Sequence, residues 1–117
     1  MLTPTVLALG DELHLSGKEI LTAWVVGYEI GTRLSANIHT DRDWHPTAIY
    51  GAAGAAAGVA KTLKLSARQT VDALGIVGSM ASGIIEYLAE GTWTKRMHAG
   101  WAAQSGMRAA LLARAGF

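Results

Sequence analysis

The stretch PTAIYGAAGAAAGVA, residues 46–60, carries no charge and is built mostly from alanine and glycine. Pro46 suits a first helical turn, which predicts a helix that begins at Pro46 or Thr47 and ends near Leu63. One side of this helix consists of small residues: Gly51, Gly54, Ala55 and Gly58. Glycine inside a helix costs up to about 1 kcal/mol relative to alanine, so neighbouring helices should press against this side.

Capping signals predict further helices on both sides of this stretch. Ser16-Gly17-Lys18-Glu19 and Ser66-Ala67-Arg68-Gln69 each have the capping-box pattern at a helix start. No sustained alternation of β-branched residues indicates a strand. The sequence therefore predicts an all-α bundle of five or six closely packed helices. Its expected segments are helices over about 4–14, 17–34, 46–63, 67–82 and 99–115, a helical turn over 84–89, a polar interruption over 35–46 and a loop over 90–98.

Composition limits the classes of protein that this chain can represent. It has 117 residues, half of them hydrophobic, a net charge of +1 and no cysteine. This length predicts one domain, residues 1–117, and the charge is too small for a nucleic-acid binder. The absence of cysteine excludes disulfides and cysteine-ligated metals and favours a cytoplasmic location. No signal peptide is expected in residues 1–15. The uncharged runs 44–60 and 73–85 fall short of a membrane span, so no membrane partner is expected.

The segment GTWTKRMHAGWAA, residues 91–103, is the best candidate for a functional site. Its cationic, hydroxyl and imidazole groups suit the binding of a carboxylate substrate: Thr92, Thr94, Lys95, Arg96 and His98. Proton transfer next to a carboxylate needs a base, an acid and cations that stabilise an enediolate-like transition state. His45 stands at the start of the helix over 46–63, where free N–H groups favour an anion. Taken alone, however, Lys95 and Arg96 are more typical of solvated charges in a surface loop. His45 could instead cap its helix or form a hydrogen bond in the core, and His98 could cap the last helix or pack against Trp101.

The remaining histidines and the tryptophans have simpler interpretations. His14 and His39 match no motif and are expected at the surface. Trp44, Trp93 and Trp101 flank the candidates and are interpreted as packing anchors. His45 and His98 lack the spacing of metal ligands, so no metal is expected. Phosphate-loop and dinucleotide patterns are absent, and Gly51-x-x-Gly54 lies inside a predicted helix.

Several segments together resemble the MmgE/PrpD family of 2-methylcitrate dehydratases and cis-aconitate decarboxylases. They are GYEIGTRL (27–34), HPTAIYGAAGAAAGVAKTLKLS (45–66) and ALGIVGSMASGIIEYLAEGTWTKRMHAGWAAQSGMRAALLARAGF (73–117). The opening LTPTVLALGDE and the segment SGKEILTAW also fit, so the resemblance covers nearly the whole chain. Its most specific part is Gly-Thr-x-Thr-Lys-x-x-His-x-Gly over 91–100.

The resemblance implies a cofactor-independent lyase that acts on a branched polycarboxylate, and typically a homodimer. Members have a large helical domain and a smaller α+β lid, with the active site between them. They are several times longer than this chain, so we expect part of the helical domain, without its upstream helices and the lid. Lys95 and His45 match positions that line the family's pocket, and we predict both as catalytic. Thr94, Lys95, Arg96 and His98 are predicted to bind substrate.

Two functions of different classes follow from these observations. The first is a hydro-lyase acting on a 2-methylcitrate-like polycarboxylate, incomplete as this chain. The second is a non-catalytic helical module that forms a homodimer or larger oligomer and binds small carboxylates. The sequence leaves open which carboxylate is bound and whether water or carbon dioxide is lost.

Overall fold

Six helices make up most of residues 1–38 and 43–117, the part of the chain that the computed structural model describes. They are α1 (Leu2–Glu12), α2 (Gly17–Asn37), α3 (Pro46–Thr62), α4 (Ala67–Met80), α5 (Tyr87–Glu90) and α6 (Thr94–Arg114). These described ranges contain no strand, only one antiparallel bridge between Trp44 and Ile84. The predicted all-α class and the number of helices are therefore confirmed.

Helix α3 is the centre of the bundle, with 12 of its 17 residues buried. It crosses α2 where two glycines meet: a Cβ added to Gly54 would lie 2.8 Å from the carbonyl oxygen of Gly27. A Cβ on Gly58 would lie 3.3 Å from the carbonyl oxygen of Ala23. Because the contacting residues run in opposite order along the two helices, α2 and α3 are antiparallel. Small residues thus let the two backbones touch, as the sequence predicted.

Helix α6 packs on another side of α3, and small residues again bring the two backbones together. A Cβ on Gly106 would lie 2.5 Å from Ala55 Cβ and 2.6 Å from the backbone nitrogen of Ala56. Further along, Val59 shares a buried cluster with Ala110 and Ala113. The contacting residues run in the same order along both helices, so α3 and α6 are parallel. Their N-terminal ends therefore lie side by side, which places His45 near the start of α6.

The turns that join α1 to α2 and α3 to α4 are alike in sequence and structure. LHLSGKE over 13–19 and LKLSARQ over 63–69 both form the predicted capping box. Both turns also contain a non-glycine residue with positive φ, 51° at His14 and 54° at Lys64. In each turn, the backbone N–H of the following leucine bonds to a carbonyl five residues earlier, which satisfies the end of the preceding helix.

The predicted loop over 90–98 is wrong for its second half, because α6 already begins at Thr94. The N-cap position is occupied by Trp93, which makes no side-chain capping bond. Because tryptophan is not one of the residue types that cap helices, no capping pattern in the sequence marks this helix start. The substrate-binding candidates Thr94, Lys95, Arg96 and His98 accordingly occupy the first two turns of a helix.

Other boundaries differ from the prediction by a few residues. α2 continues to Asn37 rather than ending near Leu34, and the predicted turn over 84–89 becomes α5. The predicted polar interruption over 35–46 falls partly on 39–42, which lie outside the described residues, as does His39. In the described part of the chain, no helix combines the length and apolar character needed to cross a bilayer.

Replacing Gly106 by alanine should destabilise the fold by about 1–3 kcal/mol, because the added methyl group would overlap the backbone of α3. The matched control is Gly75→Ala on α4, where a Cβ meets nothing within 4 Å. That substitution should stabilise the helix by about 0.5–1 kcal/mol. Urea denaturation followed by circular dichroism measures both. Equal stability of the two variants would contradict the close contact of α3 with α6.

Candidate active site

The centre of the site is a contact between two imidazole rings that are 53 residues apart in sequence. The Nδ1 atoms of His45 and His98 lie 2.9 Å apart, which is hydrogen-bonding distance. Both residues are buried, with 8% of His45 and 4% of His98 exposed. His45 precedes α3 and His98 lies in the second turn of α6, so the parallel packing of these helices brings the rings together.

A short backbone ladder holds His45 in place before α3. Its N–H donates to the carbonyl oxygen of Gly83 over 2.9 Å, and the N–H of Ile85 donates to the carbonyl oxygen of Asp43 over 2.8 Å. Gly83 has φ of 144°, which side chains disfavour. A Cβ there would also lie 2.7 Å from Ala48 Cβ and 3.3 Å from His98 Nδ1. Glycine is therefore required at this position for the segment to pass over the two rings.

Tyr87 forms the third side of the site, and the sequence reading did not select it. Its ring is buried and meets both imidazoles edge to face, with centroid distances of 5.1 Å to His45 and 5.5 Å to His98. Its place in the sequence is the one feature that could have indicated it. Tyr87 lies in the helical turn just before the GTWTK segment, and is therefore close in sequence to the predicted site residues.

Lys95 is at the open side of this group. Its side chain is exposed at the start of α6, and Nζ lies over the Tyr87 ring at 5.6 Å from the centroid. Arg96 packs instead on Trp93, with Cζ 4.2 Å from that ring's centroid. Thr94 is exposed on the first residue of α6. The structure therefore brings His45, His98 and Lys95 around Tyr87, whereas Arg96 stacks on a different ring.

The tryptophans differ from their predicted role as packing anchors. Trp93 is 76% exposed and serves mainly as a platform for Arg96. Trp101 is partly exposed and donates from Nε1 to Ser82 Oγ over 3.1 Å. Trp44 is also partly exposed, in the bridge to Ile84. His14 is exposed, as expected.

Electrostatics keep His45 uncharged. Burial, and then the positive charges that His98 and Lys95 can carry, lower the pKa of His45 from its ordinary value of 6.5. At neutral pH this imidazole is therefore neutral and able to accept a proton. Within residues 1–38 and 43–117, no group of three or more histidine, aspartate or glutamate side chains is arranged to hold a metal ion. The described site offers a proton acceptor and an ammonium group around one aromatic ring.

A groove of about 340 Å³ has walls from α2, α3 and the start of α1, and includes Pro46, the residue that follows His45. A larger cavity of about 590 Å³ lies between α2, α3 and the start of α4, and is lined in part by Lys18, Lys61 and Lys64. Glu19 also lines this cavity and pairs with Lys64 over 3.3 Å. Neither lining contains a predicted site residue.

Comparison with known proteins agrees with the resemblance in the sequence. The family model described as the MmgE/PrpD N-terminal domain matches residues 1–117. The chain is 37% identical over 107 residues to the cis-aconitate decarboxylase-like protein oryM of Aspergillus oryzae, covering 88% of this chain and 22% of that protein. It is 37% identical over 122 residues to human cis-aconitate decarboxylase, covering 97% of this chain and 25% of the human protein.

The cis-aconitate decarboxylase of Aspergillus terreus is 33% identical over 123 residues, covering 97% of this chain and 25% of that protein. The chain thus spans about a quarter of the length of the curated relatives that it matches. The family model covers the whole chain, and the identities exceed 30% over most of it. On these grounds the chain belongs to the MmgE/PrpD family.

Proposed function

We propose that this chain supplies part of the active site of a lyase that acts on a small polycarboxylate. The observation that carries the proposal is the arrangement around Tyr87, where a buried, neutral His45 and the exposed ammonium group of Lys95 approach the same ring. A neutral imidazole can move a proton, and an ammonium group can hold a carboxylate. The similarity to cis-aconitate decarboxylases is consistent with a tricarboxylate substrate.

The two candidate reactions, dehydration and decarboxylation, both proceed through negative charge on carbon. In dehydration, a base takes the proton next to a carboxylate, the C–O bond breaks, and hydroxide leaves as water after receiving a proton. In decarboxylation, a C–C bond breaks, carbon dioxide leaves, and the electron pair that stays on carbon takes a proton. A cation near the carboxylates stabilises the charge in either case.

Two observations favour different outcomes of this chemistry. His45 is neutral because its pKa is lowered, so the ring is available to take the proton that dehydration of a 2-methylcitrate-like substrate removes. The names of the relatives favour decarboxylation of cis-aconitate. We propose Lys95 as the carboxylate anchor and His45 as the group that moves the proton in both. Thr94 and Arg96 remain proposed substrate contacts, and His98 can reach a substrate only through Nε2, because its Nδ1 is paired with His45.

Replacing Lys95 by alanine should weaken the binding of cis-aconitate and citrate more than Arg96→Ala does. Lys95 is exposed, so one contact contributes about 0–1 kcal/mol. We expect millimolar binding, a two- to fivefold loss for Lys95→Ala and less than a twofold loss for Arg96→Ala. Isothermal titration calorimetry measures the affinities, with Lys61→Ala in the large cavity as the matched control. Equal losses for all three lysine and arginine variants would indicate nonspecific charge and contradict the proposed anchor.

Folding stability should fall as the pH drops below about 6.5 if His45 is a neutral base. With its pKa lowered in the native state, the unfolded chain binds the proton more tightly, so acid favours unfolding. The stabilising effect is complete above pH 6.5 and is lost as the pH falls through the lowered native pKa. Urea denaturation between pH 5 and 8 should show this slope, with a smaller slope for His45→Asn. An identical slope in both proteins would show that His45 does not titrate as proposed.

The alternative is a non-catalytic module that associates with itself. The outer face of α2 exposes Leu21, Val25 and Tyr28, with Leu21 65% and Val25 58% exposed. An apolar stripe of this kind is typical of an interface, and a second copy of the chain would remove it from water. This alternative predicts association and carboxylate binding without turnover, whereas the lyase proposal predicts turnover of the bound carboxylate.

We expect the chain to form a homodimer or larger oligomer, and the double variant Leu21→Gln, Val25→Gln to shift it toward monomer. Light scattering after gel filtration measures the mass of both proteins. The matched control is Val71→Gln on α4, which removes an equally exposed apolar side chain from a different face. A monomeric parent chain, or dissociation by Val71→Gln alone, would exclude the outer face of α2 as the interface.

A further inference from the structure

We infer that His98 is a positioning residue that couples the tautomer of His45 to its own and keeps the two rings from being charged together. The observation is the 2.9 Å contact between two Nδ1 atoms in a buried site. The role of His45 in a reaction is taken from the proposed function, whereas the pairing of the rings does not depend on it.

The contact selects among the tautomers of the two rings. A neutral imidazole carries one proton, on Nδ1 or on Nε2. If both Nδ1 atoms carried protons, two donors would face each other. If neither Nδ1 atom carried a proton, two lone pairs would face each other. Only the combinations with one proton between the rings form a hydrogen bond. Whichever ring donates, the tautomer of His98 determines that of His45, and therefore whether His45 Nε2 can accept a proton.

The contact also limits the charge of the pair. A first added proton gives an imidazolium that donates to a neutral imidazole, so the hydrogen bond is kept. A second would place two cationic donors face to face in a buried site, beside the ammonium group of Lys95 and the edge of the Tyr87 ring. Within the described residues, neither ring forms a salt bridge with a carboxylate that would offset this charge. The contact therefore disfavours a state in which both rings are charged.

Rigid surroundings make this role possible. His98 lies on α6, whose contact with α3 through Gly106 fixes its distance from His45. Gly83 lies against the His98 ring, and its carbonyl oxygen accepts from the backbone of His45, so one segment positions both residues. These contacts fix the backbone positions of both residues, so the rings can separate only by a change in their side-chain torsions. The backbone register of α3 and α6 thus supports the hydrogen bond.

The test uses nitrogen-15 NMR of the histidine rings, which reports the protonation of each nitrogen. In the unaltered chain, we expect one bare and one protonated Nδ1 in the pair at neutral pH. His98→Asn keeps a hydrogen-bonding amide near the Nδ1 position, so His45 Nδ1 should stay hydrogen-bonded. His98→Leu removes that partner, so the populations of the two His45 tautomers should change.

Two like-protonated Nδ1 atoms, or unchanged tautomer populations of His45 in His98→Leu, would overturn the inference. If His98→Leu does not fold, the protonation of the two Nδ1 atoms in the unaltered chain still decides it. Because these measurements need no substrate, they separate the two proposals. Oppositely protonated Nδ1 atoms in a chain that binds no carboxylate would refute only the proposed function, and like-protonated Nδ1 atoms in a chain that binds through Lys95 would refute only the role of His98.

Discussion

Direct contact between helix backbones at α3 is the constraint on which the rest of the structure depends. Gly54 meets Gly27 of α2, and Gly106 of α6 lies on Ala55 and Ala56 of α3, so the backbones approach each other closely at both crossings. The contact with α6 fixes the two helices in parallel register. That register brings the residue before α3, His45, to the second turn of α6, where His98 lies. The site is therefore a consequence of helix packing.

Much of the fold could be predicted because its determinants are local. The capping boxes at Ser16 and Ser66 and the proline at position 46 marked three helix starts, and the structure has all three. The small residues of α3 predicted close packing but not the partners, since glycine carries no information about what it contacts. The start of α6 was missed because Trp93 provides no capping side chain.

The candidate site was predictable only as a set of residue types. The resemblance selected His45 and the segment around Lys95, and the structure places His45, His98 and Lys95 around one ring. The pairing of the two imidazoles depends on the register of α3 and α6, which no pattern in either segment specifies. Tyr87 was missed for the same reason, since its importance lies in its contacts with residues that are distant in sequence.

The composition of α3 also affects the entropy of folding. Alanine and glycine have no side-chain torsions to restrict, so burying them costs essentially no rotamer entropy, whereas each buried leucine or isoleucine would cost about 0.5–1 kcal/mol. Nine of the 12 buried residues of α3 are alanine or glycine. A core of this kind cannot adjust by changing rotamers, so strain is transmitted through the backbone. Thermal motion in the centre of this bundle should then take the form of helices shifting as rigid units.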